Sequence, residues 1–144
     1  MTIVGFYFDK LVAEKLSQPK GQIKIKNDIK LKDVEKEEIP LLKTDKSEAI
    51  KISFEFSTEY EPKLGTLNIT GHLTYLTDQK EAKDILTNWK KDKKMPSNTT
   101  IKVLNFIFAK THIMALKMAE DVGLPPHIQL PALRPKAESD EYIG

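Results

Sequence analysis

Ile50, Ile52, Phe54 and Phe56 alternate with Lys51, Ser53, Glu55 and Ser57. A period of two puts the apolar side chains on one face of a strand and the polar ones on the other. Leu67, Ile69, Leu73 and Tyr75 repeat the pattern against Asn68, Thr70, His72 and Thr74, with Gly71 in the apolar phase. Between the two runs, Glu61-Pro62-Lys63-Leu64-Gly65 carries the Pro and Gly of a turn. The spacing predicts an antiparallel hairpin. Ile23, Ile25, Ile29 and Leu31 form a third alternating face, opposed by Lys24, Lys26, Asp28, Lys30 and Lys32. Asn27 sits in the apolar phase and reads as an irregularity. The Lys-rich side looks at water and would blunt an exposed edge, because charge deters unwanted strand pairing. Phe6, Tyr7, Phe8, Leu11, Val12 and Ala13 suggest a first strand whose alternation slips one step near Lys10. A β-bulge produces such a slip; an amphipathic helix is the alternative for this segment. Lys32 to Glu48 reads as a charged, mobile crossover, since charge runs are usually solvated.

The period changes after Asp78. That residue is placed to cap a helix, with Glu81 three positions on, as in a capping box. Ala82, Ile85, Leu86 and Trp89 recur at helical spacing, and Lys90-Lys91-Asp92-Lys93-Lys94 ends the run where cations favour the helix dipole. Met95-Pro96 breaks the chain. Ser97 or Asn98 is expected to cap a second helix, which runs to Val122 with Gly123 as its stop. Ile101, Val103, Leu104, Phe106, Ile107, Phe108, Ile113, Met114, Leu116 and Met118 cover most of its circumference, and Lys102, Lys110 and Lys117 share one narrow stripe. A surface helix needs only one apolar stripe. This one must bury two faces, one against the sheet and one against another subunit. Phe106, Ile113, Met114 and Leu116 are the residues expected at that interface. Beyond Gly123, Pro125, Pro126, Pro131 and Pro135 forbid a regular helix and leave an extended tail. Strands followed by helices define an α+β class: a four-stranded antiparallel sheet with two C-terminal helices packed on one face.

Composition narrows the function. The 144 residues suit one domain, here residues 1–135, with 136–144 as a flexible tail. Hydrophobic residues make up 40% and charged residues 31%, which excludes a disordered chain. The net charge is +2, and 22 of the 23 basic residues are Lys, with Arg134 the exception. Both facts weigh against nucleic acid, whose binders are more basic and favour the Arg fork for phosphate. There is no Cys, so disulfides, thiol nucleophiles and zinc–thiolate sites are excluded. No secretory signal and no membrane-spanning run is visible, and a cytoplasmic protein is expected. The sequons at Asn68 and Asn98 then read as chance matches.

Catalytic chemistry is not found. His72, His112 and His127 have no ligand spacing. No nucleophile elbow, phosphate-binding Gly loop or buried acidic pair stands out. No enzyme, metal or cofactor is expected. The aromatics are the remaining candidates. Core packing is their plain reading; the functional one is an apolar groove for an extended polypeptide, with Tyr7, Tyr60, Tyr75 and Trp89 as contacts.

With this element order, the chain resembles the SecB export-chaperone family and its SecB-like relatives. The most specific stretch runs from Asn105-Phe106-Ile107-Phe108-Ala109-Lys110 to Gly123-Leu124-Pro125-Pro126-His127-Ile128-Gln129-Leu130-Pro131. The family has a helix that starts with an aromatic-rich turn and ends in a small residue, followed by an apolar, Pro-containing tail. The resemblance covers about residues 3–135 and implies dimers that pair into tetramers through the helices. It also implies ATP-independent holding of unfolded polypeptide in a long apolar groove. Two departures matter. The family's translocase contact uses an acidic sheet surface, whereas Lys24, Lys26, Lys30 and Lys32 stand here beside only Glu55 and Glu59. The family's zinc-binding tail has no counterpart in this sequence. A general holdase, or a chaperone dedicated to one partner such as an antitoxin, is therefore expected before an export factor. The alternatives are a non-catalytic interaction module, such as a subunit of a larger complex, and a Lys-mediated nucleic-acid binder.

Overall fold

The computed structural model describes residues 2–39, 46–133 and 135. Four strands, β1 (Thr2–Lys15), β2 (Lys24–Glu37), β3 (Ser47–Glu61) and β4 (Gly65–Asp78), precede two helices, α1 (Gln79–Asp92) and α2 (Ser97–Val122). The strands form one antiparallel sheet in the order β1-β4-β3-β2. The strongest alternators, β3 and β4, take the centre, and β1 and β2 are the edges. Ile50, Ile52, Phe54, Phe56 and Tyr60 of β3 and Leu67, Ile69, Leu73 and Tyr75 of β4 are buried on one face. Both helices close over that face, and their buried residues join the same hydrophobic cluster.

Gly71 shows why the apolar phase of β4 contains a residue with no side chain. It pairs with Phe54 across the sheet. A Cβ built there would stand 2.3 Å from the carbonyl oxygen of Tyr7 and 2.7 Å from the Phe54 ring. The ring uses the space a side chain would need. Gly71→Val is expected to cost about 1–3 kcal/mol or more, as overpacking does, and a urea titration reads this directly.

β1 is a strand throughout, not a helix. Its register slips between Phe8 and Lys10, as the sequence pattern requires, and again between Ile3 and Gly5, which the pattern does not reveal. β2 corrects the reading of Lys32–Glu48 as a connector. The strand continues to Glu37 and β3 begins at Ser47. A register shift between Leu31 and Asp33 reverses the alternation, so Val34 turns inward and is buried. The charges beyond it are strand side chains: Lys36 pairs with Glu48 at 3.6 Å. Residues 40–45 of the supposed crossover, Arg134 and the expected flexible tail 136–144 lie outside the described residues. Asn27 is no irregularity of pairing. Its Oδ1 accepts from Thr58 Oγ1 at 2.6 Å, and its Nδ2 donates to the His127 carbonyl at 3.0 Å.

Asp78 caps α1 as expected, accepting from the Glu81 amide at 2.7 Å. Thr77 Oγ1 donates back to the Glu81 carboxylate. Ala82, Ile85 and Trp89 form the buried stripe of α1. Lys93, in the left-handed conformation, ends the helix and returns its N–H to the Trp89 carbonyl. The cap expected at Ser97 or Asn98 is not formed. Pro96 holds the N-cap position without a side-chain bond, and Thr100 Oγ1 donates to the Met95 and Pro96 carbonyls instead. Gly123, at φ 77°, stops α2.

The segment after Gly123 is extended and tightly fastened. Leu124 and His127 are buried. Tyr60 Oη donates to the Pro125 carbonyl at 2.6 Å. His112 Nδ1 and His127 Nε2 lie 2.8 Å apart, their rings stacked and both edge-on to Phe56.

Candidate functional site

The corner between α1 and α2 does not close over β2. A cleft of about 490 Å³ remains, lined by Leu31 of β2, Trp89 of α1, Lys93, Lys94 and Met95 of the corner, and Ser97, Thr100 and Ile101 of α2. Each wall has a local cause. Trp89 continues the Ala82–Ile85 stripe, so its ring faces the sheet. The left-handed Lys93 turns the chain and leaves Lys94 at the mouth. Thr99 and Val103 carry the buried stripe of α2, which turns Ile101 outward, 60% exposed. Met95 is buried and forms the floor with Trp89.

The polar content of the cleft is small and specific. Trp89 is only 6% exposed, and its Nε1 has no hydrogen-bond partner among the described residues. A buried donor left unpaired is costly. Lys93 Nζ stands 5.7 Å from the centroid of the indole. Neither Lys93 nor Lys94 has an ion-pair partner among the described residues. The remaining polar groups of the lining are the Lys94 ammonium and the hydroxyls of Ser97 and Thr100. Among the described residues, no three His, Asp or Glu side chains gather to hold a metal.

The four aromatics expected to line a groove do not come together. Tyr7 is 53% exposed on the opposite face of the sheet, its ring tilted against His72, whose Nδ1 lies 2.9 Å from Asp9 Oδ2. Trp89 is the one that reaches the cleft. Tyr60 and Tyr75 are packed into the core, 1% and 2% exposed. Burial pushes the Tyr60 hydroxyl up to about 12, and it fastens the tail. Burial, with the nearby Glu81 carboxylate, also raises Tyr75. A client could meet either ring only if the core opened. Leu31, Met95 and Ile101 were not singled out as contacts by the sequence, because they come from three separate elements.

Of the four residues expected at an oligomer interface, Ile113 is 70% exposed. Leu116 is half-buried. Phe106 already packs on Phe6, ring centroids 5.7 Å apart, and Met114 packs against the core. The lysines of β2 are largely neutralised: Lys26 meets Glu61 at 3.4 Å and Lys32 meets Glu55 at 3.5 Å. An Asn68 hydrogen bond, helped by Lys32, holds Glu55 below the usual carboxylate range.

This fold is shared with a SecB-like chaperone of known structure. The chain superposes on the Mycobacterium tuberculosis Rv1957 SecB-like chaperone, solved in complex with a ChAD peptide from the Rv1956 HigA1 antitoxin. The TM-score is 0.53 at 14% sequence identity, over 92% of this chain and 89% of that one. The likeness is one of fold. No protein-family model matches the chain, and no curated protein matches its sequence. Among the described residues, no helix is long and apolar enough to cross a membrane.

Proposed function

We propose that this protein is an ATP-independent holdase of the SecB-like type, which keeps extended stretches of unfolded polypeptide in the cleft at the α1–α2 corner. The observation that carries the reading is the cleft itself: an open, apolar pocket walled by Leu31, Trp89, Met95 and Ile101 on this fold. β2 is an edge strand, so a chain lying along Leu31 meets main-chain polar groups beside apolar side chains. The protein works in the cytoplasm as a homo-dimer or homo-tetramer, with Ile113 and Leu116 in the contact, and carries out no catalytic step.

A client dedicated to this chaperone is the second reading, favoured by the antitoxin peptide bound to the SecB-like neighbour. The nucleic-acid reading is weakened by the ion pairs that occupy Lys26 and Lys32.

Apolar burial drives the proposed binding. Each client side chain fully removed from water contributes about 1.5–3 kcal/mol, and several are needed to offset ordering a flexible chain, on the order of 2–5 kcal/mol or more. Calorimetric titration of an unfolded, non-aggregating client of neutral composition should show a negative heat-capacity change. Its affinity should be nearly the same at low and high salt. Binding lost at high salt would transfer the function to the lysines. No binding in either buffer would end the holdase reading.

A further inference from the structure

We infer that the cleft is selective: it takes an extended segment in which an acidic residue flanks an apolar anchor, with the Trp89 indole N–H donating to a main-chain carbonyl of that segment. The inference rests on the holdase reading and adds to it which sequences are held. Two independent observations carry it. The first is the orphaned donor: Trp89 lines the cleft, is 6% exposed, and its Nε1 is unpartnered among the described residues. An apolar side chain cannot satisfy it, but the backbone carbonyl of an extended chain can once the ring turns to present Nε1 to the cleft.

The second observation is the charge at the mouth. Lys93 and Lys94 line the cleft without ion-pair partners among the described residues, and Lys90 and Lys91 precede them on the last turn of α1. Asp92 is the acidic residue within that run and is not part of the lining. The lysines of β2 differ, since Lys26 and Lys32 are already matched by carboxylates. A carboxylate beside the bound apolar anchor would therefore meet two ammonium groups that no described carboxylate pairs with, whereas a basic flank would be repelled. Like and unlike charges at a rim act mainly on selectivity, and apolar burial still supplies most of the affinity.

The test uses short labelled peptides with a central Phe-Leu anchor, flanked by a pair of Glu, of Lys or of Ser. At low salt the Glu-flanked peptide should bind about tenfold more tightly than the Lys-flanked one, with the Ser-flanked peptide between them. The gap should shrink at high salt. Lys94→Glu combined with Lys93→Gln should abolish or reverse the order. Trp89 is the only tryptophan, so its indole N–H gives one resonance. That resonance should move downfield on addition of the Glu-flanked peptide, as a new hydrogen bond requires. Ile101→Gln, which changes no charge, separates the two levels of the claim. If peptides bind, Ile101→Gln weakens them, and yet Glu and Lys flanks bind alike or the indole resonance stays still, the selectivity is overturned and the holdase reading stands. If no anchored peptide binds, or Ile101→Gln has no effect, the cleft is not the site and both fall. Tighter binding of a single-stranded oligonucleotide, or of a Glu peptide lacking the anchor, also overturns the proposal, because it would make the lysines a general anion site.

Discussion

Lowering the pH from about 7 to about 4 is expected to destabilise the fold by releasing the tail from α2. His112 and His127 share one hydrogen bond between ring nitrogens 2.8 Å apart, so both rings cannot be protonated together. Burial pushes His127 down to about 4 from its ordinary 6.5, with His112 adding to the shift. Burial lowers His112 as well. The sign follows from linkage. A histidine whose folded value is depressed is proton-poor in the native state, so its contribution is complete above about 6.5 and is lost as pH falls towards 4. The urea midpoint should therefore fall across that window. His127→Asn should flatten the slope, and at neutral pH it should lower stability by about 1–3 kcal/mol, since it strands the half-buried His112 ring. Midpoints that rise on acidification would contradict the assignment of this contact.

The second large effect concerns association. The protein should scatter light as a particle of at least twice 16.4 kDa at micromolar concentration. Ile113→Asp should return it to 16.4 kDa with its helical circular dichroism intact. Ile113 is 70% exposed in the single chain, so an aspartate there stays hydrated and the fold has no reason to fail. In an isologous contact the same substitution appears on both sides. Two charges would then be taken from water into an apolar face, at several kcal/mol, and each about 1.4 kcal/mol is tenfold in the dissociation constant. A monomeric parent would refute the expectation. So would an Ile113→Asp variant that keeps the parent's mass.

The strands were readable because β3 and β4 alternate without interruption, and a period of two leaves no choice of face. The far half of β2 is hidden because one register shift at Lys32 reverses the parity, and the charges of Glu35, Lys36 and Glu37 then look like solvent-facing connector. The helical period of α2 is legible, but its inner face is not. The residues that meet the core include Thr99, Thr111, Ala115 and Ala119, which are no more apolar than the outward Ile101 and Ile113. Asn27 stood out as a polar residue in an apolar phase, yet its purpose, holding the carbonyl of His127, joins positions 100 residues apart. The cleft suffered in the same way. Trp89 belongs to a legible stripe, whereas Leu31, Met95 and Ile101 meet it only after the sheet and the helix corner have formed.

Unfolded polypeptide is expected to be held at the α1–α2 corner. Aggregation of a chemically unfolded client, followed by light scattering without ATP, tests it most directly when the parent protein is compared with Ile101→Glu. Ile101 is 60% exposed, so the substitution should leave the melting temperature unchanged. The account predicts that excess parent suppresses aggregation and that Ile101→Glu loses most of that protection. A parent that leaves aggregation untouched, or a folded Ile101→Glu that protects as well as the parent, would contradict it.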